Sequence, residues 1–180
     1  MGEGKAAPPW HDLMEFQDDA YVLSARTFGE SGAIVEFLTA HHGRYAAHVA
    51  GGASRRIKPF LQAGARAVVQ YRARVSEQLG AATLEPVGEG PSALFDDPLA
   101  LAGLSAAAAV AATALPEREP HPGAFLAFEA LTSALTLPDI WPAVFVRFEA
   151  GLLQDLGFGD RKSTRLNSSH PQQSRMPSSA

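Results

Sequence analysis

The chain has 180 residues, 46% of them hydrophobic, and a formal net charge of −4. That apolar content can fill one large domain or two small ones. The absence of cysteine excludes a disulfide scaffold and any thiolate metal site. No basic leader with an apolar core opens at Met1, and the longest apolar run, Leu99 to Leu115, is 17 mostly alanine residues, short of the roughly 20 that cross a bilayer. A cytoplasmic protein without a membrane segment is expected.

Residues 1–13 are rich in Gly, Pro and Ala without periodicity and read as a flexible extension. From Asp19 the pattern is that of strands, with Tyr21, Leu23 and Ala25 alternating with Val22, Ser24 and Arg26. Gly29 to Gly32 has turn composition, Ala33 to Thr39 reads as a second strand, and His41 to Gly43 makes the next turn. Tyr45, Ala47 and Val49 then face one way, and Arg44, Ala46 and His48 the other. Gly51 and Gly52 end that strand. The alternation is clearest over residues 67–75, where Val69, Tyr71, Ala73 and Val75 share one face and Gln70, Arg72 and Arg74 the opposite one. Leu79 to Pro86 supplies a fifth short strand. Five strands with glycine turns suggest a small antiparallel barrel over residues 14–90. The OB-fold is such a barrel and binds oligonucleotides; an SH3-like barrel fits the strand count nearly as well.

After Gly90 the period changes to that of helices. Ala93 to Leu115 reads as one long stretch, interrupted at Pro98 and ended by Pro116. Phe125, Phe128, Leu131 and Leu135 recur at helical spacing. Asp139 is placed as the N-cap of a third helix, with Pro142 in its first turn and Val144, Phe145, Phe148, Leu152 and Leu156 as its apolar stripe, closed by Gly157. The fold class is therefore α+β, a five-stranded barrel followed by a helical domain over residues 91–159.

Charge is distributed unevenly. Between Phe37 and Glu77 the chain carries Arg44, Arg55, Arg56, Lys58, Arg66, Arg72 and Arg74 and no acid. A local positive field in an acidic protein points to a polyanion, nucleic acid above all. Arg72 and Arg74 project from one strand face, Arg44 from another strand, and Arg55, Arg56 and Lys58 fill the loop between them, so a closed barrel can line one groove with all six. Tyr45 and Tyr71 are candidate base-stacking platforms, but their alternation places them with the core residues. With no clearly exposed aromatic, the expected mode is backbone binding with little sequence readout. His41, His42 and His48 invite a metal hypothesis, but adjacent histidines in a turn diverge and no carboxylate follows at ligand spacing until Glu77. No GxSxG elbow or Walker loop is present, so no catalytic residue, cofactor or metal is assigned.

The ordered signals resemble the RecO family of bacterial recombination mediators. The matching residues are Tyr21-Val22-Leu23-Ser24, Gly29-Glu30-Ser31, Thr39, His42-Gly43-Arg44, Gly51-Gly52-Ala53-Ser54-Arg55-Arg56 and Leu61-Gln62-Ala63-Gly64, then Leu115-Pro116-Glu117, Arg147-Phe148-Glu149, Leu152-Leu153 and Leu156-Gly157-Phe158-Gly159. The resemblance implies an N-terminal OB-fold and a helical domain, binding and annealing of single strands, binding of duplex DNA, and partnership with RecR and the acidic tail of single-strand-binding protein. On that reading Arg44, Arg55, Arg56 and Lys58 contact phosphates, and Arg147 and Phe148 are where the acidic tail is met; pairing with Glu149 is the bland role for Arg147. It also implies work on the nucleoid.

Two departures stand out. Ala63 replaces the family's usual proline, and the resemblance ends at Gly159, whereas the family continues, often with a cysteine cluster that can hold zinc. Residues 160–180 look like a translated sequencing adapter and are expected to be disordered and non-native; their Ser, Pro and Gln content would equally suit a native basic tail. On this view the helical domain is truncated, and Phe145, Phe148 and Leu152 risk forming an exposed apolar patch. The competing readings are a generic OB-fold module for RNA or single-stranded DNA, and a hydrolase built on the three histidines.

Overall fold

The computed structural model describes residues 14–74 and 78–158. Five strands, β1 (Met14–Phe28), β2 (Gly32–Thr39), β3 (Gly43–Val49), β4 (Arg66–Ala73) and β5 (Gly80–Pro86), close into a barrel in the order β1-β2-β3-β5-β4. Every pairing is antiparallel except the short parallel seam of β3 with β5, at Ala47–Gly80 and His48–Ala81. This closure is the OB-fold and resolves the choice that strand number left open.

Strand β1 starts at Met14, five residues before the alternation becomes visible. Its first half pairs with β4 and its second half with β2, and a register shift between Val22 and Ser24 turns it from one to the other. The bulge explains why Tyr21, Val22 and Leu23 are all buried in succession. Val22 enters the barrel core with Val35, Phe37, Tyr45, Val69 and Tyr71, while Tyr21 and Leu23 join the core under the helices. Tyr45 and Tyr71 are interior, as their alternation requires. Val75 lies outside the described residues.

The helical part opens with a 3₁₀ turn (Gly90–Leu94), followed by α1 (Pro98–Ala114), α2 (Pro122–Ala134) and α3 (Trp141–Leu153). Asp97 caps α1 by accepting from the Leu99 and Ala100 amides at 3.0 Å, so Pro98 begins the helix instead of interrupting it. Small residues let α1 pack closely, burying Ala100, Leu104, Ala107, Ala108 and Ala111. Helix α3 begins two residues after Asp139, with Ile140 at the cap position and no side-chain cap. Its stripe is as expected, and Gly157, at φ +82°, ends the following turn. Asp155 from that turn accepts from the Ala124 amide at 2.8 Å, capping α2 from outside its own segment.

The outer face of the barrel contributes Tyr21, Leu23 and Leu38 to the core under the helices. Tyr21 packs its ring on Phe125 and Phe128, and Phe128 meets Phe148 edge to face at 5.8 Å. Phe148 is 1% exposed and Leu152 is buried with it. Among the described residues no helix is long and apolar enough to cross a membrane.

Candidate nucleic-acid interface

The seven cations of the acid-free stretch divide into two groups. Arg44 and Arg66 serve the joint between barrel and helices. Arg44 projects from β3 beneath the α1–α2 link, where its Nε donates to the Leu115 carbonyl at 2.8 Å and its Nη1 lies 3.5 Å from Glu117 and 3.6 Å from Glu36. Its side chain is only 12% exposed. The backbone repeats the tie, with the Arg118 amide donating to the Arg44 carbonyl at 2.8 Å. Gly43, at φ +86°, lets the link approach, because a Cβ there would collide with the Glu119 carbonyl. Arg66 bridges Asp19 at 3.3 Å and Glu129 of α2 at 3.0 Å, and its guanidinium lies over the Tyr21 ring. The expectation that Arg44 lines an open groove thus gives way to a structural role: two carboxylates and a carbonyl already surround it.

The second group faces water. Arg55, Arg56 and Lys58, on the connection from β3 to β4, are exposed, and so is Arg74 at the end of β4. None of the four has an ion-pair partner among the described residues. Arg72, on the same outer face of β4, meets Glu15 at 2.7 Å in a pair that is open to solvent on both sides. Such a pair is weak and screened, and a phosphate can displace the carboxylate. Arg26 joins this group; its signal in the sequence was the outward parity of β1, but it lies before the acid-free run.

The strand register connects these positions. Arg72 pairs with Ala81, Ala81 with His48, His48 with Ile34, and Ile34 with Arg26, so one row across the outer sheet has a guanidinium at each end. A 310 Å³ groove over the β3–β5 seam is lined by Glu15, His48, Gln70, Arg72 and Thr83. A second, of 460 Å³, opens between the end of β1 and the β3–β4 connection, with Arg26 and Lys58 on an apolar floor that includes Leu23 and Leu61. A third, of 510 Å³, continues past Leu61 to Arg56 and Phe60. Four outward cations thus line these depressions, Arg72 the first, Arg26 and Lys58 the second and Arg56 the third; the second and third meet at Leu61. The helices add no comparable field, carrying two basic against eight acidic residues over 91–158.

Exposed aromatics are present after all. Phe28, at the end of β1, is 50% exposed, and Phe60, in the 3₁₀ turn beside Lys58, is 37% exposed. The three histidines are not gathered: His41 and His42 sit in the turn before β3, and His48 near its opposite end. Among the described residues no group of three or more His, Asp or Glu could hold a metal. His41 and His42 instead serve Asp18, whose oxygens accept from the His41 amide at 2.8 Å and from both imidazole Nδ1 atoms at 2.9 Å. Burial pushes the Asp18 carboxyl up, but these three donations outweigh it and hold the group below its ordinary value.

On α3 the two expected partner residues part company. Arg147 is exposed with no ion-pair partner among the described residues, and its neighbour Val146 is 64% exposed. Phe148 points inward and is enclosed, so it is a core residue. Phe145 is partly covered and Leu152 buried; the apolar side chains that do meet water nearby are Val146, Leu153 and Phe158.

A family model described as Recombination protein O N terminal matches residues 14–87, and one described as Recombination protein O C terminal matches residues 96–171. The chain belongs to the RecO family. Curated relatives named DNA repair protein RecO include those of Phenylobacterium zucineum, 82% identical over 146 residues, and Caulobacter vibrioides, 74% identical over 146 residues. That of Rhodospirillum centenum is 49% identical over the same length. These alignments take in 81% of this chain and 58–60% of each RecO relative, so the chain spans about three-fifths of their length. The second RecO match runs past Gly159, where the motif resemblance ends; residues 1–13 and 159–180 lie outside the described structure.

Proposed function

We propose that this chain is the DNA-binding part of a recombination mediator acting in double-strand-break and gap repair. It binds and anneals single-stranded DNA, also engages duplex, and helps load the recombinase onto coated single strands. The observation that carries this reading is the sorting of the cations. Those needed for architecture are enclosed by carboxylates, and Arg26, Arg55, Arg56, Lys58, Arg72 and Arg74 are left outward on the barrel, four of them (Arg26, Arg56, Lys58 and Arg72) lining surface depressions. Such a surface neutralises phosphates without reading bases and releases counterions as it does so.

Family membership supports RecR and the acidic tail of single-strand-binding protein as partners, with work on the nucleoid. Arg147, unpaired among the described residues and flanked by exposed apolar surface on α3, suits an acidic peptide. The test is single-strand binding as a function of salt for the combined Arg55→Ala, Arg56→Ala and Lys58→Ala variant. Affinity at low salt should fall, and the log–log slope should shrink by about 0.7 for each phosphate that is no longer neutralised. An unchanged slope would remove these residues from the DNA path. Equal or tighter binding to RNA of the same length would favour a generic RNA module.

A further inference from the structure

We infer that Phe28, supported by His48, is a stacking platform for an unpaired base of the strand that crosses the barrel; this rests on the reading that the outward cations bind nucleic acid. A half-exposed phenylalanine is ordinary by itself, but this one sits in a constructed setting. It occupies the last position of β1, opposite Gly32 of β2. A Cβ at Gly32 would collide with His48 Nε2, so the missing side chain is what lets the imidazole lie across β2. From there the His48 ring meets Phe28 edge-on, with centroids 5.7 Å apart and planes at 71°. The edge contact fixes the phenyl orientation while leaving ring surface open to solvent.

The charges are placed to use that surface. Arg26 lies two residues before Phe28 on the same face of β1, and the register row through His48 ends at Arg72. His48 also lines the seam groove containing Arg72, Gln70 and Thr83. A chain whose phosphates follow Arg72 towards Arg26 therefore passes its bases over His48 and Phe28. Every base has a π-face, so stacking there is tolerant of sequence, but a base inside a duplex is already stacked on its neighbours and cannot use the ring. The platform thus selects single strands, whereas the cations serve both forms.

The experiment compares Phe28→Ala, Phe28→Leu and Phe28→Trp with the wild type on an oligothymidine and on a duplex of equal length, across a salt series. Phe28→Ala should weaken oligothymidine binding about tenfold. Phe28→Leu, which keeps apolar bulk without a π-face, should fail to restore it, and Phe28→Trp should restore it with indole fluorescence quenched as the oligonucleotide binds. Duplex affinity and the salt slope should not move, because a ring displaces no counterions. Unchanged oligothymidine binding in Phe28→Ala, a matching loss on duplex, or restoration by leucine overturns the platform. If the Arg55, Arg56 and Lys58 variant still loses affinity for both forms, only the platform fails; if that variant binds normally, the broader nucleic-acid reading fails instead.

Discussion

Arg44 Nε holds the carbonyl oxygen of Leu115 at 2.8 Å, across 71 positions of chain, and so ties β3 to the end of α1. Arg44→Ala should remove this bond and leave Glu36 and Glu117 facing one another without the guanidinium between them. A loss of about 1.5–3 kcal/mol is expected in urea unfolding. Single-strand affinity and its salt slope should stay as they are once the protein is folded. A reduced slope would return Arg44 to the phosphate path.

Acid should weaken the β2–β3 turn through Asp18. Its carboxyl is held below the ordinary aspartate value in the fold, so its contribution is complete above that ordinary value of about 3.9. The contribution disappears as pH falls from there through the lower folded value. Asp18→Asn should therefore be less stable than the wild type at neutral pH, with the difference shrinking as pH falls below the ordinary aspartate value. Unfolding curves for both proteins at a series of pH values check this; a difference that persists undiminished in acid would contradict it.

Neighbouring positions on α3 should behave oppositely. Phe148→Ala opens a cavity between Phe128 and Phe145 and should cost about 3–5 kcal/mol of stability. Arg147→Ala should leave the unfolding midpoint in place and weaken capture of an acidic, single-strand-binding-protein-type tail peptide, most visibly at low salt. Titration of a labelled peptide against both proteins separates the two roles.

Gly43→Ala should destabilise beyond the usual surface range. The substitution forces a side chain into a positive-φ position and into the Glu119 carbonyl, so about 1–3 kcal/mol is expected from the backbone alone. Crosslinking or proteolysis of the 115–121 link would report whether that link lifts from the barrel.

Much of this fold was legible as periodicity. The inward and outward faces of β3 and β4, the long helix after Pro98 and the stripe on α3 all follow from alternation or from helical spacing. What periodicity could not supply was the partner of each outward face. Arg44 and Arg72 have the same parity within their strands, yet one lies beneath the α1–α2 link and the other in water. Phe148 belongs to an apolar stripe, but only the tertiary packing shows that its ring is fully covered. The bulge at Leu23 was hidden because Tyr21 to Arg26 reads as one unbroken alternation, whereas Tyr21, Val22 and Leu23 are all buried. Phe28 was hidden because it adjoins a glycine turn, where a single aromatic reads as loop. The helix cap at Asp139 failed for a local reason: the chain takes a further turn before Trp141.

Strand β3 has a roofed end and an uncovered end on one and the same side. Arg44 sits under the helical layer and His48 beyond its eaves, with Ala46 between them. At about 3.3 Å per residue only some 13 Å separates the two. The link from α1 to α2 thus closes the Arg44 end of this face to any large ligand and leaves the His48 end as the ground such a ligand could reach.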